Sequence, residues 1–429
     1  MLTLLQKYPI NAEEGINSVP ALQNHLAVAV AVELSTVPLY LYAAYSIETS
    51  NRTQWAPEMS AFRTIRSVVI EEMLHLCLAR NLLTAIGGQM ACYDSKVVPQ
   101  YPSDMLYHTP PLQFRLEPLS SKLISTVFMP LELPAKADAK PQSEHYETLG
   151  QFYAAIRDAF VDLNGRQHDE LWYGPTLDIP ADEKRAIREE RKALQYSRAY
   201  WNDDGGGTPI LVQDITSAKA AIATIVEQGE GEGVHRDEVP IRPDKPQFGL
   251  VERSHYAKFR MIAAELDDKK PDDVDNDDKR TWPVPCNPKP EVFDFAGQAG
   301  ATDDRQSDVG RLAQLFDAAY CYVLRLLDRI YETPTHVPKA NTTSERYGLE
   351  RKFVAAMGGL LYPIADQLVR FPLKDGTHAA PGFRYYAFPA GNMKAHLIDL
   401  CDDVTGAFPS LGGDDGVRQL LNHMPDLAL

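Results

Sequence analysis

Residues 65–83 read IRSVVIEEMLHLCLARNLL, and this stretch decides the fold. Its apolar residues recur every three or four positions, which is the spacing of one face of an α-helix. Glu72 and His75 fall on that same face. The pattern predicts a long helix over 62–86, ended by the glycines at 87 and 88, that carries a carboxylate and an imidazole into an apolar interior.

A second apolar stretch with the same periodicity predicts a partner helix over 23–47, and Glu33 lies on its apolar face. Pro38 lies inside this helix, where it removes a backbone hydrogen bond and should bend the chain. A tolerated bend and a functional opening are both compatible with it. Further helices are predicted over 148–163, 218–228, 250–266, 309–331, 350–370, 393–404 and 417–423.

The predicted elements are mainly α-helical and divide the chain into three parts. Residues 1–266 hold a helical bundle, interrupted at about 89–210 by a Pro-rich crossover for which we expect loops and a small hairpin. Residues 267–300 are acidic and Pro-rich, which is typical of a solvated linker. Residues 301–429 form a C-terminal helical region.

Composition excludes several classes of partner. The 429 residues carry a formal charge of −16, which disfavours binding to the phosphates of nucleic acid. No uninterrupted apolar run reaches the length of a membrane helix, so no membrane contact is predicted. The amino terminus lacks the order of a secretory signal, and five scattered cysteines fit a reducing compartment. We therefore expect a cytoplasmic protein.

Polar residues on the apolar faces carry the chemistry. Burying an ionised carboxylate costs several kcal/mol unless it is paired or ligates a metal, and these faces lack Lys and Arg. In Glu-x-x-His both side chains lie on one helix face and can reach one ion. One Glu from each of two helices plus Glu-x-x-His from each of two others is the ligand set of di-iron and di-manganese carboxylate bundles. The predicted metal ligands are Glu33, Glu72, His75, Glu227, Glu252 and His255.

Alternatives remain for these residues. Glu-x-x-His occurs three times, and the third copy lies in a Gly-rich tract without a helix. Glu72 and His75 could form a surface pair, and Glu252 could be solvated. Glu230 competes with Glu227 as the ligand from its helix.

Three tyrosines, Tyr40, Tyr42 and Tyr45, follow Glu33 on the first helix. Tyr40 and Tyr45 lie one to three turns beyond it, where a phenol could serve an oxidising metal centre as hydrogen donor or electron relay. These are the predicted catalytic residues, and a plain core role is the alternative.

Several motifs resemble the ferritin-like iminophenylpyruvate dimer synthase family. They are residues 32–41 (VELSTVPLYL), 71–76 (EEMLHL), 148–153 (TLGQFY), 225–231 (IVEQGEG) and 254–259 (SHYAKF). That family includes the ferritin-like portion of violacein- and rebeccamycin-pathway enzymes, which couple imino acids made by a flavin amino-acid oxidase. The resemblance covers roughly residues 20–265. It implies a ferritin-like four-helix bundle, places Glu33, Glu72, His75, Glu227 and His255 on the family's recurrent positions, and suggests such an oxidase as a pathway partner.

The resemblance implies the reaction less directly, because the pathway enzymes are much longer. The function predicted is a non-haem di-metal oxidase or oxygenase that uses O2 on an amino-acid-derived or other small organic substrate in secondary metabolism. Two iron ions are expected, with manganese or a mixed centre as the alternative. A metal-independent imine-condensing enzyme and a non-enzymatic iron-binding protein are the other hypotheses. A homodimer is compatible with the sequence.

Overall fold

The structure is a computed structural model. It describes residues 7–49, 57–105, 108, 111–133, 146–176, 178–197, 207–229, 253–267, 281–289, 308–335 and 345–428. Within these residues the fold is mainly α, as predicted.

The described helices follow one another along the chain with few strands between them. In chain order they are α1 (Val19–Tyr45), α2 (Pro57–Ala85), α3 (Ser121–Leu131), α4 (Leu149–Arg166), α5 (His168–Tyr173), α6 (Ala181–Leu194), α7 (Ile215–Gly229), α8 (His255–Asp267), α9 (Asp308–Glu332), α10 (Glu345–Ala356), α11 (Tyr362–Val369), α12 (Met393–Thr405) and α13 (Val417–Asn422). A π-helical turn at Met357–Leu361 joins α10 to α11, and a second π turn, Ile124–Phe128, lies within α3.

Helix starts are fixed by side-chain caps. The Ser18 hydroxyl accepts a hydrogen bond from the backbone N–H of Ala21, and Thr148 caps α4 in the same way. Asp214 accepts from the backbone N–H of Ser217 at the start of α7. These caps satisfy N–H groups that a helix terminus leaves without partners.

Helices α1, α2, α7 and α4 pack in a ring, each against the next. Helix α8 lies across this ring, against α2, α3 and α7. Helix α1 is long and apolar enough, by length and composition alone, to cross a membrane. However, 94% of its most apolar window is buried by the rest of the protein, so it is a core helix of the bundle.

The crossover contains more helix than the sequence predicts. The expected hairpin is present as two short antiparallel strands, β1 (Ser103–Asp104) and β2 (Gln113–Phe114). Helices α3, α5 and α6 occupy stretches expected to be irregular. Helix α3 was missed because its sequence, SKLISTVFMPL, is short, holds a proline and is interrupted by a π turn, which breaks the helical period.

The described part of the predicted linker is packed against the bundle, unlike the solvated segment that the sequence predicts. The backbone N–H of Trp282 donates to the Ser46 carbonyl at 2.7 Å, and that of Asn287 donates to the Leu116 carbonyl at 2.8 Å. Val284 is buried. Residues 281–289 therefore form a strap along the bundle.

The C-terminal helices share a continuous apolar core with the bundle. A buried ion pair joins them, because Arg80 of α2 contacts Asp328 of α9 at 2.7 Å. The carboxylate of Asp328 also accepts from the backbone N–H groups of Cys92 and Tyr93, each at 2.8 Å. This single side chain therefore ties α9, α2 and the crossover together.

We expect Asp328→Ala to lower the free energy of unfolding by about 3–5 kcal/mol, because it leaves a buried guanidinium and two N–H groups without partners. Urea denaturation followed by circular dichroism measures the change. Glu332→Ala, which removes a half-exposed carboxylate near Arg325 on the same helix, is the control and should cost about 1 kcal/mol or less. Equal losses in the two variants would contradict this account.

Candidate metal centre

Five ionisable side chains from four helices meet inside the bundle. Glu33 comes from α1, Glu72 and His75 from α2, and His255 is the first residue of α8. Glu132 immediately follows α3. Each of the five is 3% exposed or less.

The ring of His75 faces carboxylates on one side and an amide on the other. Its Nδ1 lies 3.8 Å from Glu33 Oε2 and 3.8 Å from Glu72 Oε1. Its Nε2 lies 3.0 Å from the side-chain carbonyl oxygen of Gln228, to which it donates. This hydrogen bond selects the tautomer whose Nδ1 lone pair points toward the carboxylates.

The ring of His255 repeats this arrangement. Its Nδ1 lies 2.9 Å from Glu72 Oε1 and 3.4 Å from Glu132 Oε1, and its Nε2 lies 2.8 Å from Glu71 Oε2. The two imidazoles stack with centroids 5.3 Å apart. Glu72 therefore lies between the histidines, with Glu33 beside one and Glu132 beside the other.

Hydroxyl groups hold the three carboxyls in place. Tyr153 of α4 donates to Glu33, and Tyr40 of α1 donates to Glu132 at 2.6 Å. The hydroxyl of Thr36 lies 2.5 Å from Glu72 Oε2 and 2.9 Å from the backbone carbonyl of Glu33. The single hydroxyl proton of Thr36 cannot be donated to both oxygens. When Thr36 donates to the carbonyl of Glu33, the short contact with Glu72 requires a proton on the Glu72 carboxyl, which then donates to the Thr36 oxygen.

Burial governs the protonation of these groups. Burial and the neighbouring Glu72 raise the pKa of Glu33 well above its ordinary value, and burial raises the pKa of Glu72. Burial and the nearby His255 lower the pKa of His75 to about 3. Burial opposes the charged form of His255, but Glu132, Glu71 and Glu72 outweigh it and raise that pKa well above the ordinary value.

The donor set fits a metal ion. One ligand atom from each of Glu72, His75 and His255 lies within 4.8 Å of the others, so a single cation can contact all three. Within the described part of the chain, no Lys or Arg pairs with Glu33, Glu72 or Glu132. The nearest internal cation, Lys258, contacts Glu71 at 2.5 Å instead, outside the cluster.

The structure brings Glu33, Glu72, His75 and His255 together, as the sequence analysis expects, and their ligation of metal stays a prediction. It does not bring Glu227 into the cluster. That side chain is exposed, and Gln228, one position further along α7, is the buried residue that contacts His75. Glu230 and Glu252 lie outside the described residues.

The two predicted catalytic tyrosines have different surroundings. Tyr40 is fully buried and donates to Glu132, so it lies beside the cluster. Tyr45 lies more than three helical turns from Glu33, where its ring faces Phe383 and Tyr362 of the C-terminal region. Tyr45 is a core residue in the structure, which is the alternative noted for it.

Glu132, Glu71 and Gln228 were missed from the sequence. Glu132 is a lone acidic residue between two leucines, and that isolation was the available signal. Glu71 directly precedes a predicted ligand and was not considered as a site residue, but it is 1% exposed. Gln228 carries no charge, so the argument from buried charge could not reveal it.

A protein-family model described as ferritin-like matches residues 26–264, which is more than half of the chain. The chain belongs to the ferritin-like family. The described groups of the cluster all lie inside the matched range.

Two curated relatives indicate which part of the ferritin-like family this chain resembles. Dichlorochromopyrrolate synthase of Lentzea aerocolonigenes is 24% identical over 84% of this chain and 35% of its own length. The 2-imino-3-(indol-3-yl)propanoate dimerase of Chromobacterium violaceum is 28% identical over 61% of this chain and 25% of its own length. They confirm the resemblance to the imine-coupling ferritin-like family. The chain spans about a third and a quarter of the lengths of these relatives.

A solved structure shows a looser likeness. A ferritin-like protein from Caulobacter vibrioides is 18% identical, covers 87% of this chain and 100% of its own, and superposes with a TM-score of 0.47.

We expect Glu71→Gln to weaken Co²⁺ binding by about 10- to 100-fold, because the carboxylate that accepts from His255 orients the ring and raises its basicity. Titration of metal-free protein followed by Co²⁺ absorption measures the affinity. Glu189→Gln, which changes an exposed carboxylate on α6, is the matched control and should bind as tightly as the parent. Equal affinities in all three proteins would show that Glu71 does not act on the site.

We expect the free energy of unfolding of metal-free protein to fall as pH rises above about 7. The folded chain holds protons on Glu33 and His255, whose pKa values are raised well above their ordinary ones, after the unfolded chain has released them, and this stabilisation is lost as pH rises through the raised pKa values. His75, with its pKa lowered to about 3, opposes this only below the ordinary histidine range.

Urea midpoints across this pH range, with and without saturating Mn²⁺, provide the measurement. Bound cation should flatten the dependence, because it replaces the protons. The Glu33→Gln variant removes one of the titrating groups and should show a shallower fall. A metal-free protein whose stability stays level or rises over this range would contradict the pKa assignments.

Proposed function

We propose that this chain is a non-haem di-metal enzyme, with iron as the metal, that uses O2 to oxidise a small organic substrate in secondary metabolism. The observation that supports it best is the cluster of three buried carboxyls and two buried imidazoles without an internal Lys or Arg partner among the described residues. Bound cations would compensate this charge, and in their absence protons on the carboxyls and on His255 would do so.

The symmetry of the cluster supports two ions over one. Glu72 Oε1 lies within 4 Å of Nδ1 of both histidines, and each histidine has a further carboxylate of its own. Glu33 and His75 would hold one ion, Glu132 and His255 would hold the other, and Glu72 would be shared. This set differs from the sequence prediction in using Glu132 of the crossover in place of Glu227, and it does not include the predicted ligand Glu252, which lies outside the described residues.

Bound iron would supply the electrons that reduce O2. The chain's own groups would do the rest. Gln228 and Glu71 orient the two imidazoles, and the surrounding helices exclude water. The hydroxyl of Tyr40 donates a hydrogen bond to Glu132, and that of Tyr153 donates one to Glu33, so either phenol could pass a proton or hydrogen atom toward the cluster.

The substrate class is proposed from the relatives. One is named for making dichlorochromopyrrolate and the other for dimerising a 2-imino acid with an indole ring. An amino-acid-derived substrate is therefore the proposal for this chain, with a flavin amino-acid oxidase as its supplier and the cytoplasm as its location. The coupling reactions of the longer relatives are not assumed.

The test is anaerobic reconstitution of the purified chain with Fe²⁺, followed by metal analysis and exposure to O2. We expect about two iron ions per chain and an optical change on O2 addition. Glu72→Ala should lose both ions, and Glu132→Ala should lose about one. Glu227→Ala is the matched control and should retain both, because its side chain is exposed. Circular dichroism checks that each variant stays helical.

Other outcomes separate the competing hypotheses. Stoichiometry well below two with no optical change would overturn the di-metal proposal. Full turnover of an imino acid by metal-free protein would favour metal-independent condensation. Continued uptake of iron far beyond two per chain would favour a non-enzymatic iron-binding role. Retention of metal by Glu132→Ala, with loss in Glu227→Ala, would return the ligand assignment to the sequence prediction.

A further inference from the structure

A cavity of about 430 Å³ is lined in part by α1 and α2, the two helices that also carry Glu33, Glu72 and His75 of the carboxylate cluster. Leu34 and Val37 of α1 line it, whereas Glu33 and Thr36 face the cluster. On α2, Val69 and Met73 line it, whereas Glu72 and His75 face the cluster. Helices α9, α10 and α11 and the π turn between the last two form the opposite wall.

The size of the cavity is unusual for a packing defect. Protein interiors are close-packed, and voids larger than a water molecule are few. Pockets that hold organic ligands range from about 300 to 1,000 Å³ and have mostly apolar walls. This cavity lies in that range, and its wall is apolar apart from Arg66, Gly358 and three tyrosines.

Two polar groups on the wall have no partner in the part of the chain that the structure describes. The hydroxyl of Tyr320 is buried and lacks a hydrogen-bond partner, and the residue is 3% exposed. Arg66 is exposed and makes no ion pair there. Because Arg66, Gly358 and Tyr362 are the exposed members of the wall, the cavity opens near them, whereas Tyr320 belongs to the buried part of the wall.

A buried hydroxyl without a partner costs free energy, so a bound acceptor would stabilise this wall. A guanidinium at the mouth matches a carboxylate, with which it forms two parallel hydrogen bonds. The π turn at Met357–Leu361 contributes Met357, Gly358 and Leu361 to the wall, and single π turns in helices often accompany binding sites. The guanidinium at the mouth and the apolar wall are complementary to a ligand with an anionic head and an apolar body.

We propose that this cavity is a second binding site, for a small monocarboxylate whose apolar body fills the cavity and whose carboxylate pairs with Arg66. The body is an aromatic ring system or a short fatty chain, and both share this chemistry. The site is distinct from the metal centre, because none of the residues that line the cavity belongs to the carboxylate cluster.

The test is isothermal titration of the full chain with 1-naphthylacetate and, separately, with decanoate. We expect saturable binding of one molecule per chain for at least one of them, and the tighter ligand identifies the body. Arg66→Gln should weaken the binding of 1-naphthylacetate about tenfold. The uncharged amide 1-naphthaleneacetamide cannot pair with Arg66, so its affinity for the parent protein should not exceed the affinity of 1-naphthylacetate for the Arg66→Gln variant. Arg63→Gln changes an exposed arginine on the same helix that does not line the cavity, and should have no effect.

A cavity-filling variant tests the location. Val354→Trp places an indole into the cavity from α10 and should abolish binding, whereas Val161→Trp, on the exposed side of α4, should not. The thermal unfolding midpoint of each variant checks that it folds. Absence of saturable binding of both probes would overturn the proposal, and so would binding that Val354→Trp leaves unchanged. Equal affinity for the acid and the amide would overturn the role of Arg66.

Two further arms separate this site from its surroundings. Tyr320→Phe should weaken binding of 6-methoxy-2-naphthylacetate, whose ether oxygen can accept from the Tyr320 hydroxyl, more than it weakens binding of 2-naphthylacetate. Equal effects would overturn the role of the Tyr320 hydroxyl. Glu72→Ala should bind the probes like the parent, so a failure of the metal proposal leaves this one standing. Loss of binding in that variant would show that the two sites are not independent.

Discussion

Burying an ionised carboxylate costs several kcal/mol unless a counter-charge or hydrogen bonds compensate it, and this bundle buries three within reach of one another. The rest of the site can be understood as a response to that cost. Without metal, protons shared among Glu33, Glu72 and His255 keep the net charge low. With metal, the cations replace those protons. The repulsion among the three carboxylates that destabilises the metal-free fold therefore favours the binding of cations.

The surroundings of the cluster keep the ligand atoms where a cation needs them. Each imidazole is held from outside by an acceptor on its Nε2, so that Nδ1 stays directed inward. Lys258 contributes by pairing with Glu71 and not with a cluster carboxylate. That arrangement places the carboxylate of Glu71 between Lys258 and His255, and leaves the inner carboxylates without a Lys or Arg partner among the described residues.

The sequence predicted those parts of the site that lie within regular helical periods. Glu33, Glu72 and His75 sit on long apolar stripes, so their inward direction follows from the spacing. The inward direction predicted for Glu227 differs from the structure because this residue lies near the end of its helix. There the apolar stripe is too short to show whether Glu227 or Gln228 points inward, and a step of one residue rotates the side chain by about 100°. Glu132 could not be predicted, because it follows a π-interrupted helix whose position depends on tertiary packing with α8.

The cluster lies within the part of the chain that the ferritin-like family model matches. Every described group of the cluster, including the outer Glu71, Gln228 and Lys258, lies between residues 33 and 258, inside the range that defines the family. The C-terminal helices contribute none of these described groups. They instead line the 430 Å³ cavity together with residues of α1 and α2. Helices α1 and α2 thus contribute residues both to the carboxylate cluster and to the cavity. Substitutions in the C-terminal region can therefore alter the cavity while the carboxylates keep their neighbours.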